Sequence, residues 1–228
     1  MDGELHIGHP AIAITLRRKR NAKRLTLRLA ADGVYLTLPQ RTPLKEAEAF
    51  ARKQEPWLRS KLADRPERHV VAQMGTIPVF GEERHIASGT GRVARLDGDT
   101  LIVPAPEEKR STKIKAFLKE TARDQLTQAS DKYSNRIGRS YGRISLRDTR
   151  SRWGSCTSTG NLMYSWRLVM APPKVLDYVA AHEVAHLVEM NHSPQYWKIV
   201  EDICPDYKAH RAWLRQNGAG LHLIDLNG

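Results

Sequence analysis

Two histidines and a glutamate in the C-terminal half of the chain have the types and the spacing of a catalytic metal site. Residues 181–187 have the sequence Ala-His-Glu-Val-Ala-His-Leu and contain His182, Glu183 and His186. If this segment is helical, the two imidazoles face the same side and can bind one metal ion. Glu183 then lies beside the metal, where a carboxylate can take a proton from metal-bound water. The pattern predicts a zinc hydrolase, with Zn²⁺ as the cofactor.

A third ligand is predicted at His192. It follows His186 by six residues, which is the spacing of the longer zincin pattern His-Glu-x-x-His-x-x-Gly-x-x-His. Glu189 stands at the glycine position of that pattern, so the chain must turn back toward the metal by other means. We expect Asn191 to supply a left-handed turn, because asparagine tolerates that conformation better than most residues. Three protein ligands leave one coordination position open, which is typical of a catalytic site.

The elements that must position these residues are predicted to be mainly helical. Pro172 and Pro173 begin the helix with the motif, which we expect to continue through Val188. A long amphipathic helix is predicted at residues 111–137, from apolar residues at three- and four-residue steps. Shorter helices are predicted at residues 194–203 and 207–216, and Asn217-Gly218 is expected to stop the last one.

A small sheet is predicted beside the motif helix. Residues 143–148 and 161–169 have the pattern of strands. The second is a candidate edge strand that can pair with an extended peptide. Tyr164, on this strand, is therefore a tentative substrate-binding residue, although alternation does not decide which face of the strand it occupies.

The N-terminal part of the chain has the short alternating pattern of half-buried strands. Such strands are predicted at residues 11–16, 25–29 and 34–38, and Asp32-Gly33 is typical of a tight hairpin between the last two. Thr42-Pro43 begins a helix, with a break or restart expected at Pro56.

Pro104 and Pro106 are the predicted boundary between the two parts of the chain. We expect an α+β fold. Residues 1–106 would form a β-rich N-terminal portion with one helix, and residues 107–228 a zincin-like helical portion with a small sheet.

The composition limits where the protein works and what it contacts. Lys and Arg total 37 and Asp and Glu total 25, so the net charge is +12. This excess favours contact with a polyanion such as nucleic acid, although scattered basic residues that only add solubility would give the same total. Two cysteines far apart in sequence are not typical of a disulfide scaffold. A polar N-terminus and short apolar runs predict a cytoplasmic protein with no membrane segment.

The segments around the motif resemble the YgjP-like metallopeptidase family of predicted metal-dependent hydrolases. The resemblance rests on Arg152-Trp153-Gly154-Ser155-Cys156, Trp166-Arg167-Leu168, Asp177-Tyr178-Val179, the His182 to Leu187 motif, Asn191-His192-Ser193-Pro194 with Trp197, and Pro205-Asp206-Tyr207. It implies a zincin-type fold, zinc bound by the three histidines, a catalytic Glu183 and distant kinship with SprT-like proteases, some of which act on DNA-bound proteins.

The Arg-Trp-Gly-Ser-Cys segment is the most characteristic feature outside the ligands. Gly154 would permit a close approach of the backbone to the motif helix, and Trp153 would pack there. Arg152 is a tentative substrate-binding residue, with an ion pair or structural packing as the alternative.

Three functions remain open at this point. The first is a zinc metalloendopeptidase that acts on polypeptides, including those associated with nucleic acid. The second is a zinc hydrolase of another bond, such as a nuclease or an amidase, which the basic charge favours. The third is a non-catalytic zinc-containing DNA-binding module. Glu183 argues against the third, because a structural metal site needs no base beside its ligands.

Overall fold

The computed structural model describes residues 3–30, 33–63, 69–70 and 75–226. The α+β class is confirmed. The chain divides into two compact units, Met1–Pro66 and Glu67–Gly228. This division differs from the boundary predicted near Pro106, because the strands between Thr76 and Val103 bury their apolar side chains in the same core as the helices that follow them.

The N-terminal unit is a four-stranded sheet with helices packed on one face. Its strands are β1 (Glu4–Ile7), β2 (Ile12–Lys19), β3 (Thr26–Ala30) and β4 (Gly33–Pro39), in the spatial order β1-β2-β4-β3. Its helices are α1 (Leu44–Lys53) and α2 (Glu55–Ala63). The predicted β3–β4 hairpin is confirmed by its pairing, while Asp32 itself lies outside the described residues. The break between the helices falls at Gln54, two residues before the predicted Pro56.

The first part of the second unit is a four-stranded sheet. Its strands are β6 (Thr76–Val79), β7 (Glu82–Ser88), β8 (Arg95–Asp97) and β9 (Thr100–Val103), in the order β6-β7-β9-β8. A two-residue strand, β5 (His69–Val70), pairs in parallel with β13 (Ile224–Asp225) near the end of the described chain. The sheet is joined to the rest of the unit by backbone bonds from Phe80 and Gly81 to the carbonyls of Val169 and Met170.

The remainder of the second unit is helical with a small three-stranded sheet. The helices are α3 (Glu107–Ile137), α4 (Pro173–Ala185), α5 (Pro194–Ile203) and α6 (Tyr207–Leu221), with a 3₁₀ helix at Trp166–Met170. The strands are β10 (Ile144–Arg147), β11 (Gly154–Cys156) and β12 (Leu162–Ser165), in the order β10-β12-β11. All four predicted helices are present. None of the helices in the described ranges is long and apolar enough to cross a membrane.

Two predicted helix ends differ from the structure. The motif helix α4 ends at Ala185, three residues before the expected Val188. Helix α6 continues through Gly218 to Leu221 instead of stopping at Asn217-Gly218. In the second case the glycine serves packing and not termination, since the indole of Trp153 lies directly against its Cα.

Candidate metal centre

Helix α4 holds the motif in the centre of the second unit. Pro173 occupies its first turn, where the missing N–H of proline costs nothing. Seven apolar side chains of this helix are at most 5% exposed: Val175, Leu176, Val179, Ala180, Ala181, Val184 and Ala185. Because the helix is packed on nearly every side, its backbone is held in one position. The side chains of His182 and Glu183 therefore project from fixed points.

The three predicted ligands come together. One ring nitrogen from each of His182, His186 and His192 lies within 4.8 Å of the others. The Nε2 atoms of His182 and His192 are 3.2 Å apart. Two nitrogens bound to one tetrahedral zinc ion at 2.0–2.1 Å would be separated by about 3.3 Å. The spacing of this pair therefore matches the edge of a tetrahedral zinc site.

The second ring nitrogen of His186 has the partner that a metal-binding histidine usually has. Its Nδ1 donates a hydrogen bond to the carbonyl oxygen of Glu189 at 3.0 Å, which leaves Nε2 for a metal. His182 differs, because its buried Nδ1 has no hydrogen-bond partner. The donor set suits zinc, since imidazole nitrogen is among its preferred ligands.

Burial keeps these imidazoles neutral. It lowers the pKa of His182 to about 3, and electrostatic interactions with His186, His192 and Arg211 act in the same direction. Burial also lowers the pKa of His186, although the bond to the carbonyl of Glu189 opposes it. A neutral imidazole is the form that binds a metal ion, so both residues are ready to do so at neutral pH.

The turn that returns the chain to His192 is built differently from the prediction. Asn191 is not left-handed: in the described ranges, Phe80 is the only residue other than glycine with a positive φ. The helix instead ends at Ala185, and the carboxylate of Glu189 accepts the backbone N–H of Asn191 at 3.1 Å. A side-chain hydrogen bond thus does what glycine does in the longer zincin pattern.

Aromatic residues of α5 pack against the rings of the three histidines. Ser193 begins this helix, since its hydroxyl accepts the N–H of Tyr196 at 3.2 Å. The fully buried Tyr196 stacks on the ring of His186, with 4.5 Å between centroids, and its hydroxyl donates to the carbonyl of His182 at 2.8 Å. The ring of Trp197 lies 5.7 Å from that of His192. These contacts hold all three imidazoles in place.

Glu183 lies against the backbone of β11. Its side chain is 5% exposed, and burial raises its pKa to about 8 while the charge of Arg152 opposes the rise. A methyl group added to Gly154 would lie 2.5 Å from Glu183 Oε1. The close approach predicted for Gly154 is therefore present. Its backbone lies against the carboxylate of Glu183.

The motif faces an open cavity of about 390 Å³. It is lined by residues of β11, α4, α6 and the loop after α4: Arg152, Trp153, Gly154, Ser155, Cys156, Tyr178, Val179, His182, Glu183, His186, Met190, His192 and Leu214. The ligand nitrogens, the carboxylate and a guanidinium thus share one space that is large enough for a side chain or a segment of peptide.

The two tentative substrate contacts have different positions. Arg152 is exposed and lines the cavity, so its predicted role stays a prediction. Tyr164 is fully buried, and its hydroxyl is 3.0 Å from the Ser130 hydroxyl. The contact predicted for Tyr164 does not agree with this placement, because the side chain packs in the core beneath the sheet.

The predicted edge strand is also in a different place. Strand β12, which contains Tyr164, is the central strand and pairs with β10 on one side and β11 on the other. Strand β11 is the outer strand beside the cavity in the described structure. The segment expected only to pack beside the motif therefore provides the edge nearest to the histidines.

Tyr178 is a cavity residue that the sequence analysis did not select. It precedes His182 by four residues, so both lie on one face of α4, and their ring centroids are 6.0 Å apart. It lines the cavity, and in the described part of the chain its hydroxyl forms no hydrogen bond. The same four-residue spacing that relates His182 to His186 was the available signal.

The comparisons with known proteins agree with this geometry. Residues 23–217 match the family model described as YgjP-like, metallopeptidase domain. The comparisons with curated proteins and with solved structures found no match. The matched region contains the three histidines, Glu183 and strand β11. Since it covers most of the 228 residues, the chain belongs to the YgjP-like metallopeptidase family.

Proposed function

We propose that the chain is a zinc-dependent metalloendopeptidase. One observation supports this most strongly: nitrogens of His182, His186 and His192 lie within 4.8 Å of one another in a cavity that also contains the carboxylate of Glu183. A structural zinc site is normally closed by four protein ligands, whereas three ligands beside a base are typical of catalysis. The family to which the chain belongs favours a peptide bond as the substrate.

Zinc is the metal that these ligands favour. Each of the three donors is a neutral imidazole, and no Cys, Asp or Glu joins the cluster among the described residues. When bound, zinc would supply Lewis acidity toward a carbonyl group and toward water.

Glu183 is the proposed general base. Its carboxylate would take a proton from the attacking water and later give it to the leaving amine. Burial and the adjacent backbone of Gly154 restrict the carboxylate to one position, and the charge of Arg152 stabilises its ionised form.

Strand β11 is the proposed docking edge for the substrate. Gly154, Ser155 and Cys156 line the cavity and form the outer strand of the small sheet. An extended polypeptide can add to such an edge through main-chain hydrogen bonds, which would place its carbonyl groups beside Glu183. The cavity is open, so this mode of binding does not require a free chain end. We therefore propose that the enzyme cleaves within polypeptide chains, as an endopeptidase does.

Charge favours substrates associated with nucleic acid. Residues 136–152 contain six arginines and one acidic residue, and the last of these arginines, Arg152, lines the cavity. A basic surface next to the cleft would attract complexes that display phosphates, and the attraction would weaken with salt.

The test is incubation of zinc-loaded protein with an unfolded polypeptide and, separately, with DNA and RNA. We expect cleavage of the polypeptide alone, and its loss by at least 100-fold in Glu183→Gln. Cleavage of nucleic acid alone, abolished by Glu183→Gln, would instead establish the nuclease alternative. Equal behaviour of the two proteins in every assay would indicate a non-catalytic zinc module.

A further inference from the structure

The positive charge of the chain is concentrated in two segments. Residues 17–41 contain eight lysines and arginines and one acidic residue, and residues 136–152 contain six and one. Their net charges, +7 and +5, account for the whole +12 of the chain. The larger excess belongs to the N-terminal unit, far in sequence from the metal centre. Its cations lie in strands β2 and β3, in the loop between them, and at Arg41 after β4.

The N-terminal sheet has one covered face and one open face. Alternate residues of β2 and β4, including Ile14, Leu16 and Leu36, are buried with Ala47 and Ala51 of α1. The intervening residues of the same strands point to the other side, because side chains alternate along a strand. The side chains on that second side are exposed or half-buried, with Arg17 and Lys19 among the exposed ones, and we call it the open face.

A stacked pair lies at the centre of the open face. The guanidinium carbon of Arg17 is 3.7 Å from the centroid of the Tyr35 ring. Arg28 of β3 lies directly opposite Tyr35 in the register of the β3–β4 pair. The guanidinium on the ring forms a planar, charged platform, and planes of this kind stack on nucleobases. Arg28 adds a second charge next to it.

A basic cavity continues this face at the end of the strands. It has a volume of about 620 Å³ and is lined by Lys19, Asn21, Ala22, Lys23, Arg24, Thr26 and Thr37. Three cations and several neutral hydrogen-bonding groups surround a space within the roughly 300–1,000 Å³ of ordinary small-ligand sites. A phosphate group is the ligand that such a mixture suits, and no acidic residue is among the described residues that line the cavity.

The cations of this surface have no carboxylate partner among the described residues. Within the described ranges, Arg17, Lys19 and Arg28 form no ion pair with a carboxylate, and the same is true of Lys23 and Arg24. The helices of the same unit differ: Arg52 and Arg59 pair with glutamates four residues before them. The open face therefore keeps its charge for an external anion.

The chemistry of this surface favours nucleic acid over a membrane. In the described part of this unit the exposed large apolar residues are Leu44 and Trp57, which lie on α1 and α2 and not on the open face. A membrane-binding surface would add apolar side chains to its cations. A sheet face with a stacking platform and flanking cations is instead the arrangement used for unpaired bases and their phosphates.

We propose that the basic face, formed by Arg17, Lys19, Lys23, Arg24, Arg28 and Tyr35, binds single-stranded nucleic acid. Bases stack on the Arg17 platform, and phosphates lie along Arg28 and in the cavity with Lys19. This binding site does not depend on the proposed peptidase activity, because none of its residues belongs to the metal centre. It gives the peptidase a means of acting where nucleic acid is exposed.

The test is fluorescence anisotropy of the full-length protein with labelled 20-nucleotide dT and rU strands and with a 20-base-pair duplex. We expect tighter binding of the single strands than of the duplex. With about four phosphates contacted, affinity should fall roughly 50-fold between 50 and 200 mM salt. Arg17→Ala/Arg28→Ala should weaken binding at least tenfold and make the salt slope shallower by about 0.7, because Arg28 is the one phosphate-contacting cation removed.

Matched variants separate this surface from general charge. Lys53→Ala/Lys61→Ala removes the same charge from the helices and should change the affinity by less than about twofold. Tyr35→Leu removes the ring beneath Arg17 and should weaken binding about tenfold without changing the salt slope, since stacking involves no counterion. Tyr35→Phe should restore the affinity. Circular dichroism and polypeptide cleavage, measured on each variant, establish that folding and the metal centre are intact.

Several results would overturn the proposal. They are equal losses in Arg17→Ala/Arg28→Ala and Lys53→Ala/Lys61→Ala, binding of the duplex as tightly as of the single strands, and displacement of the strand by polyglutamate at an equal concentration of charge. Binding to vesicles of acidic phospholipid in preference to the strands would assign the basic face to a membrane instead.

Discussion

The Cα atom of Gly154 packs directly against the carboxylate of Glu183, so a methyl group at this position would lie 2.5 Å from Oε1 and 2.6 Å from Cγ. Carbon atoms do not approach this closely without a shift of one partner. The backbone of β11 is held by its pairing with β12, and Glu183 is buried. In Gly154→Ala the carboxylate must therefore move.

We expect Gly154→Ala to lower kcat/KM about 100-fold, because a displacement on the order of 1 Å at a reacting group has an effect of this size. Zinc affinity should stay within about twofold, since no histidine is touched. Both quantities can be measured on one preparation, by peptide cleavage and by competition with a chelator. Gly220→Ala is the control, as nothing lies within 4 Å of its added methyl group. Full activity of Gly154→Ala would show that the position of Glu183 is unimportant.

The turn after α4 gives a second prediction. Glu189 Oε1 accepts the N–H of Asn191, the residue before His192. Loss of this acceptor in Glu189→Ala frees the backbone that positions the third ligand. Partners of this kind affect metal affinity by about 10–100-fold. We expect the zinc Kd of Glu189→Ala, measured by chelator competition, to rise within that range.

Two further variants distinguish geometry from charge at this turn. Glu189→Gln keeps an oxygen acceptor and should bind zinc within a few-fold of the original protein, although it has lost the charge. Glu201→Ala removes a carboxylate on α5 that pairs with exposed Lys208, and should leave zinc affinity unchanged. If Glu189→Gln lost as much affinity as Glu189→Ala, the negative charge and not the hydrogen bond would be responsible.

The shared face of His182 and His186 could be predicted from the sequence. The turn that brings His192 to the metal centre could not. The four-residue spacing of His182 and His186 fixes their common face as soon as the segment is helical. The geometry at Glu189 could not be predicted with the same certainty. A carboxylate that accepts a backbone N–H and one that is merely solvated look identical in sequence, and the choice between them depends on where the chain goes next.

The small sheet illustrates the limit set by long-range pairing. Alternation places Tyr164 on the opposite face from its neighbours in β12, but it does not say which face meets the core. The face that meets the core is determined by α3, which packs against the sheet. Ser130 of this helix, 34 residues before Tyr164 in sequence, contacts the Tyr164 hydroxyl. The order β10-β12-β11 likewise depends on pairings between segments that are separate in sequence. For this reason the pattern of residues 161–169 predicts an edge strand where the structure has a central one.

Gly218 and Trp153 give a third prediction, in which two neighbouring glycines respond with opposite signs. Alanine normally stabilises a helix by up to about 1 kcal/mol relative to glycine. At Gly218 the added methyl group would lie 2.8 Å from the indole of Trp153, while at Gly220 it would meet nothing. We expect Gly218→Ala to lower the free energy of unfolding by about 1–3 kcal/mol through overpacking.

Gly220→Ala should leave stability unchanged or raise it by a few tenths to about 1 kcal/mol. Urea denaturation of both variants measures the difference. Gly218→Ala should also reduce cleavage, because Trp153 lines the cavity beside Gly154. Equal stabilisation by both substitutions would mean that Trp153 moves aside freely and that Gly218 only weakens the helix.

The last prediction concerns a buried arginine that ties the 3₁₀ helix to the end of the chain. Arg167 is 3% exposed, and its Nε donates to Asp148 Oδ1 at 2.6 Å. The same guanidinium donates to the carbonyls of Leu221 and Ile224, at 2.8 and 2.9 Å. Asp148 is the single carboxylate that neutralises this cation in the described structure. Its ionisation should therefore affect how firmly the C-terminal segment is held.

The pKa of Asp148 determines the pH range of this effect. Burial tends to raise it, but the hydrogen bonds and the charge of Arg167 outweigh burial, and the pKa in the folded protein is below its ordinary value. The unfolded chain has an ordinary Asp pKa of about 3.9. A group with a lowered folded pKa stabilises the protein above the unfolded value, and this stabilisation is lost as the pH falls through the folded value. The loss should therefore begin below about pH 4.

Asp148→Asn tests this sign. At pH 7 it should lower the free energy of unfolding by about 2 kcal/mol, less than for a fully buried pair, because the Asp148 side chain is 37% exposed. Between about pH 4 and pH 2 the original protein should lose stability more steeply than the variant, so that their urea midpoints converge. Asp202→Asn removes an exposed carboxylate on α5 and should keep the slope of the original protein. Parallel profiles of the original protein and Asp148→Asn throughout this range would show that Arg167 is held by its two carbonyl bonds and not by the carboxylate.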